Sequence, residues 1–404
     1  MMKRGDAVRN GTWNKLRRSL LVVPALLAAG CIPQSQVAES PTPPANQKPL
    51  VLLADRVPEF PPPPPPAPPA HLVAQRQLES RIQELGRGFN GDIGIAVRDI
   101  QTGFTVAYDG NSFFPQQSVS KFWVALTALD RADRGHLDMS GDVTVRREDL
   151  TLFHQPIAQL VGTSGYRTTL NDLMHRAITQ SDNTANDFVL WRAGGPEAVR
   201  SFLSDKRVSG IRFGPGEREM QSRLAGMEWN QSMSVGRAFY TARAAVPQDV
   251  RRAAFDAYVR DPVDGATPIG IVNALSRLHK GELLSPDSTR LLLRTMENTR
   301  TGPQRLKGGL LPGWTIAHKT GTGQVLGAQQ TGYNDIGIVR GPDGRAYAVA
   351  VMIRRTAAPI PERMRVMQNT TRAVINYAEA LQGRTSIAAT VQQAIDVASD
   401  GEGD

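Results

Sequence analysis

The chain has 404 residues, 40% of them hydrophobic and 21% charged, with a formal net charge of +9. It is long enough for one large domain or two ordinary ones, with enough apolar content for a globular core. Within residues 1–30, Lys3, Arg4, Arg9, Lys15, Arg17 and Arg18 stand against Asp6 alone, so removing them leaves only +4. With no basic stripe interleaved with aromatics, that balance excludes a nucleic-acid-binding footprint.

The basic start precedes an apolar run from Leu20 to Ala29. A basic segment, a short apolar segment and small residues after it predict a secretory leader over 1–30, too short to span a bilayer. The run ends Leu27-Ala28-Ala29-Gly30-Cys31, which resembles a bacterial lipobox, with Ala28 where leucine is commonest. That resemblance implies a lipid on Cys31; the alternative is plain cleavage, with Cys31 a bystander. Cys31 is the only cysteine, so an intrachain disulfide is excluded. A lipid there would hold the protein on a membrane, not through it. The expected place is the periplasmic side of a bacterial membrane, the outer one first. Ser40-Pro41-Thr42-Pro43-Pro44, Pro61 to Pro66, Pro68 and Pro69 favour extended polyproline II. They predict a linker over 31–70 that keeps a domain off the membrane.

From residue 71 the pattern becomes globular. Leu72, Val73, Leu78, Ile82 and Leu85 predict a helix closed by Gly86. Ile93, Ile95 and Val97 alternate, and a turn near Asp99 to Gly103 leads to 104–108, which predicts a β-hairpin. A helix opens at Ser118. Leu170, Leu173, Met174, Ala177 and Ile178 predict a buried helix capped by Thr169, and a further helix starts near Thr184. Thr267-Pro268 and Ser285-Pro286 each read as a cap followed by a first-turn proline. Residues 316–320, 335–339 and 346–353 predict strands, with a Gly341-Pro342-Asp343-Gly344 turn before the third. A last helix is expected over 361–381. The fold class is thus mixed α/β (α+β): an antiparallel sheet flanked by the terminal helices, plus an all-α lobe, with the site between them. The domain is expected over 71–382, and the acidic end, 383–404, as a loose tail.

Ser118-Val119-Ser120-Lys121 is the stretch that carries chemistry. Spacing i, i+3 puts the Ser118 hydroxyl and the Lys121 amine on one helical face. A desolvated lysine can take the proton that makes a serine nucleophilic, and the helix start adds positive potential for an oxyanion. Alone the motif is weak, since Ser118 could be an N-cap and Lys121 a surface residue; it occurs by accident roughly once in such a chain. Two more motifs follow. Ser181-Asp182-Asn183 lies 63 residues on, between two buried helices, and Lys319-Thr320-Gly321 lies on a strand. Each tripeptide is expected by chance on the order of 0.05 times. Gly321 and Gly323 would leave that strand open to a ligand.

In this order the three motifs resemble those of serine β-lactamases and penicillin-binding proteins, and the resemblance covers about residues 71–382. It implies attack by Ser118 on an amide carbonyl, with the N–H groups of Ser118 and Thr322 as oxyanion hole. Ser181 would carry a proton to the leaving nitrogen. Asn183 would bind the substrate's side-chain amide. Lys319, Thr320, Gly321 and Thr322 would receive its carboxylate, and Phe153 falls at the pocket mouth, although it also reads as a core residue. In class A β-lactamases a glutamate on a later loop activates the deacylating water. Here Glu217, 36 residues past Ser181, holds that place in Glu217-x-x-Met220-Gln221, with Glu219 a rival.

Three departures stand out. Glu217 and Lys319 are 102 residues apart, and Ser222 to about Asp261 reads as an added helical piece with Phe239, Tyr240 and Phe255 apolar. Asp187 stands where the class A pattern has asparagine. Gln324 to Gly332 holds no arginine, which leaves Arg354 as the substitute partner for the substrate carboxylate. His154, His175 and His318 show no spacing that would hold a metal. The expectation is therefore a class A-like serine β-lactamase acting on small β-lactams as a monomer, with no metal or cofactor. The alternatives are a penicillin-binding D-alanyl-D-alanine peptidase or esterase, or a non-catalytic cell-wall binding module.

Overall fold

A computed structural model describes residues 69–383. The expected leader, Cys31, the linker up to residue 68 and the tail beyond residue 383 lie outside the described residues.

Helix α1 (Ala70–Gly88) buries Ala74, Leu78 and Ile82, spaced four apart. Leu72 and Val73, expected inward, are exposed, because they fall off that stripe by the helical period. Gly86 is not the stop. A Cβ there would run into the Tyr108 ring, so glycine lets the hairpin lie against the helix. Strands β1 (Asp92–Asp99) and β2 (Thr105–Tyr108) form the expected hairpin, with Val97 opposite Val106. After β3 (Phe114–Pro115) a 3₁₀ turn over Gln117–Ser120 leads into α2 (Lys121–Asp133), so Ser118 precedes the α-helix proper. A ribbon of β4 (Asp142–Val145) and β5 (Tyr166–Thr169) comes next.

The central helices are α3 (Leu170–Thr179), α4 (Asn183–Arg192), α5 (Gly195–Asp205), α6 (Glu217–Leu224), α7 (Ala238–Ala245) and α8 (Gln248–Arg260). Thr169 caps α3 by accepting the Asp172 N–H, and Asp182 caps α4 by accepting that of Ala185 at 2.9 Å. Such caps each contribute about 1 kcal/mol. Strand β6 (Gly265–Ala266) pairs with β3 and leads into α9 (Pro268–His279) and α10 (Pro286–Glu297). Thr267 and Ser285 cap these two, as their sequence predicts. The chain closes with β7 (Thr315–Thr322), β8 (Val325–Leu326), β9 (Gln329–Arg340), β10 (Ala346–Thr356) and α11 (Ile360–Leu381).

The main sheet has the order β2-β1-β10-β9-β7, with β8 on β9, and its pairings are antiparallel. Its two faces differ by residue size. Tyr347, Val349, Val351 and Ile353 of β10 point to a core shared with α1 and α11. Ala346, Ala348, Ala350 and Met352 alternate to the other face, where the core contains Ile271 and Leu275 of α9 and much of α2. The small alanines let α9 lie close to the strands. Burying each large aliphatic side chain contributes about 1.5–3 kcal/mol. The antiparallel sheet, the terminal helices and the helical lobe are those read from the sequence.

Candidate active site

The 3₁₀ turn that carries Ser118 begins with Gln117 at φ +53°, a left-handed conformation that costs a non-glycine residue about 1–3 kcal/mol. Buried partners hold it there. The Gln117 N–H donates to Asp264 Oδ2 at 2.7 Å, and its side-chain amide donates to the Tyr258 hydroxyl at 2.5 Å. Tyr258 in turn donates to Asp264 at 2.9 Å. Burial pushes the Asp264 carboxyl up to about 6. The preceding Gln116 donates to the carbonyls of Arg212 and Asp264 and accepts from the Trp123 indole at 2.6 Å. The turn that carries Ser118 is thus fixed from both sides.

Lys121, at the start of α2, is fully buried, and its ammonium donates to Ser118 Oγ at 2.9 Å. The same ammonium pairs with the Glu217 carboxylate, also buried. Glu217 Oε2 accepts from Gln221 Nε2 at 3.2 Å, and that amide also donates to Gln117 Oε1 at 2.9 Å. Gly216, at φ +104°, turns the chain into α6, so residues 217–224 are a helix rather than the expected loop. Residues i and i+2 of a helix face opposite sides. Glu219 accordingly points away from Lys121 and pairs with Arg223 at 2.8 Å on the exposed face. Asp187 accepts the N–H groups of Glu217 at 3.0 Å and Arg218 at 3.3 Å, which docks the start of α6. Burial, with the nearby Glu217 charge, pushes the Asp187 carboxyl up to about 6.

Ser181, at φ +61°, accepts from the Lys319 ammonium at 3.0 Å. Lys319 also donates to the Thr320 carbonyl at 2.8 Å. Burial, reinforced by the Lys121 charge, pulls the Lys319 amine well below the ordinary lysine range. Asn183 opens α4 and donates to the Leu152 carbonyl at 3.0 Å. On β7, a Cβ at Gly321 would run into the Gln116 carbonyl, and one at Gly323 into that of Thr331. These glycines permit close backbone packing of the strand on the turn that carries Ser118 and on β9. They do not, as the sequence suggested, merely clear space for a ligand. His318 alternates away from the site and meets Asp335 at 3.0 Å, in a fully buried pair.

A cleft of about 400 Å³ brings Ser118, Ser181, Asn183, Thr320, Thr322 and Phe153 together. Lys121, Glu217 and Lys319 lie beneath its surface, joined to it through the serines. Arg354 does not serve the cleft. Its guanidinium sits 4.6 Å from the Phe114 ring and donates to the Phe113 carbonyl. Two strand spacings, about 10 Å, separate β10 from β7, with β9 between. The arginine in the cleft is Arg305, which no sequence pattern marked. It donates to Thr322 Oγ1 at 2.5 Å and to the carbonyls of Gly321 and Asn334 at 2.9 and 2.7 Å, and stacks 3.8 Å from the Tyr333 ring centre. Among the described residues no group of three His, Cys, Asp or Glu side chains is placed to hold a metal ion.

A serine bonded to a buried lysine, a second serine–lysine pair and a buried glutamate thus meet in one cleft of a fold that matches serine β-lactamase structures. The chain belongs to the β-lactamase enzyme family, whose model matches residues 77–378. It is similar to a β-lactamase of Bacteroides uniformis, 29% identical over 280 residues that cover 69% of this chain and 83% of the relative. It is also similar to the extended-spectrum β-lactamase PER-1 of Pseudomonas aeruginosa, 27% identical, covering 69% of this chain and 80% of the relative. The crystal structure of a β-lactamase from Chitinophaga pinensis superimposes with a TM-score of 0.62 at 25% identity, covering 74% of this chain and 99% of that one. The fold and the family are those of class A β-lactamases.

Proposed function

We propose that the chain hydrolyses the β-lactam amide through an acyl-enzyme on Ser118. The observation that carries the reading is the fully buried Lys121, bonded at once to Ser118 Oγ at 2.9 Å and to the Glu217 carboxylate. Ser118 Oγ attacks the ring carbonyl, and its proton enters the Lys121–Glu217 pair. The N–H groups of Ser118 and Thr322 receive the oxyanion. As the tetrahedral intermediate collapses, the carbon–nitrogen bond breaks and Ser181 passes its proton to the nitrogen. The proton taken up by the Lys121–Glu217 pair replaces the one Ser181 has lost, beside Lys319, which is bonded to Ser181, and Glu217 is again a free carboxylate. Glu217 then takes a proton from water, the hydroxide attacks the ester, and Ser118 leaves with a proton restored. Arg305, Thr320 and Thr322 receive the substrate carboxylate, and Asn183 its side-chain amide.

The lipobox-like stretch supports a lipid on Cys31 that holds the enzyme at the periplasmic side of a membrane, the outer membrane first. The direct test is turnover of a chromogenic cephalosporin by the purified chain, with intact-mass detection of a penicillin adduct. Turnover with a transient adduct on Ser118 is expected. An adduct that persists for hours would instead assign a penicillin-binding peptidase, and no adduct at all would reject acylation.

A further inference from the structure

Two chemically different groups of side chains line the cleft, and the proposed reaction uses only one of them fully. The first is polar: Thr301 and Thr320 share a hydrogen bond at 2.6 Å, and Arg305 donates to Thr322 at 2.5 Å. The second is aromatic, made of Phe153 and Tyr240. Their rings meet edge to face at 5.7 Å and 84°. Phe239 stands behind both, 4.6 Å from Phe153 and 5.8 Å from Tyr240. Phe239 is buried in a small apolar cluster with Leu152 and Ala225, whereas Tyr240 stays 44% exposed.

Tyr240 belongs to α7, in the long segment between Glu217 and Lys319. That helix and the next are each pinned once. Arg243 donates to the Val325 carbonyl of β8, and Arg252 of the following helix reaches Gln329 at 3.3 Å. Phe153 is pinned as well, because the Leu152 carbonyl beside it accepts from Asn183. The group that would hold a substrate's side-chain amide is therefore next door to the aromatic pair. A substrate with its carboxylate on the polar group and its amide on Asn183 carries its outer substituent toward Phe153 and Tyr240. A flat π-face there matches an aromatic ring, edge to face or offset.

We infer that Tyr240 is a specificity-determining residue, which favours β-lactams bearing an aryl group on the acylamino side chain. The inference rests on the proposed acylation of Ser118. Its test is the ratio of acylation rate constants for benzylpenicillin and 6-aminopenicillanic acid, which lacks the aryl arm, read by intact mass on the full chain. Tyr240→Ala should lower that ratio roughly three- to tenfold, the worth of one aromatic pair. Tyr240→Leu, which keeps apolar bulk but no π-face, should lower it too and covers the case in which the alanine variant fails to fold. Tyr240→Phe should keep it. An unchanged ratio in the alanine and leucine variants, or an equal fall in Tyr240→Phe, overturns the inference. Wild type that acylates without hydrolysing defeats the hydrolase reading but leaves the ratio readable. Wild type that forms no adduct with either compound defeats both.

Discussion

Glu217→Gln is the substitution that reads most directly on the site. It keeps shape but removes the proposed base and a buried negative charge. In the native site one carboxylate oxygen pairs with Lys121 and the other accepts from Gln221 at 3.2 Å. A glutamine can offer its single oxygen to Lys121, which then turns its amide toward the Gln221 amide, donor against donor. Gln221 cannot simply flip, because the same amide donates to Gln117 at 2.9 Å. Two costs follow. Removing one partner of a buried ion pair typically destabilises by about 3–5 kcal/mol, reduced here by the oxygen that remains. Loss of the general base typically slows the step about 10²–10⁴-fold, which is about 3–5 kcal/mol of barrier. The assay mixes the variant with excess penicillin, removes the excess, and follows adduct mass with time, alongside a melting curve. Expected are a lower melting temperature and an adduct that forms on Ser118 and persists. Glu219→Gln, on the exposed face beside Arg223, should change stability by less than about 0.5 kcal/mol and clear its adduct as wild type does. If Glu217→Gln clears its adduct at the wild-type rate while Glu219→Gln stalls, the reasoning is refuted.

Arg305→Ala removes a charged donor from the cleft and should lower kcat/KM for carboxylate-bearing β-lactams about 10- to 100-fold, the worth of a hydrogen bond to a charged group; an unchanged value in steady-state kinetics would exclude it as the carboxylate partner. Asp187 has its carboxyl raised from 3.8 to about 6, so the folded state holds its proton where the unfolded chain has lost it. Its contribution to stability therefore falls as pH rises from about 4 to 6, and Asp187→Asn should flatten that part of a denaturant-midpoint profile; an unaltered slope would refute the assignment. Cys31→Ser should leave the domain folded but change its processing, read by intact mass, and a wild type found wholly in the soluble fraction would defeat the lipid anchor.

The readable parts of this fold were local. Thr169, Thr267 and Ser285 declare helix starts by their own chemistry, and each accepts the N–H three residues on. The three motifs declare themselves because each packs unlike functional groups into a few residues. What stayed hidden depends on contacts distant in sequence. Gln117 and Tyr258 meet across 141 residues, and neither residue type signals the other. Arg305 sits in an irregular stretch and reaches the cleft only because β7 and β9 present carbonyls to it. Arg354 lies on a strand of the right sheet, but alternation fixes the face of a side chain, not its distance from the next strand but one. Gly216 hid the helix after it, since a Gly-Pro-Gly run reads as loop.

The sheet's strand order has a consequence for how the molecule is made. Ile95 of β1 lies opposite Val351 of β10, and those residues are 256 positions apart. At about 5–20 residues per second a ribosome needs roughly 13–50 seconds to supply the partner after the first has emerged. During that interval the hairpin of β1 and β2 has one row of unpaired N–H and carbonyl groups, and Ile93, Ile95 and Val97 have no covering helix but α1. Such a chain cannot complete its core until translation is nearly finished. Any truncation before Ala346 removes β10 altogether and leaves the hairpin as an open edge, the kind of strand that pairs with another copy instead.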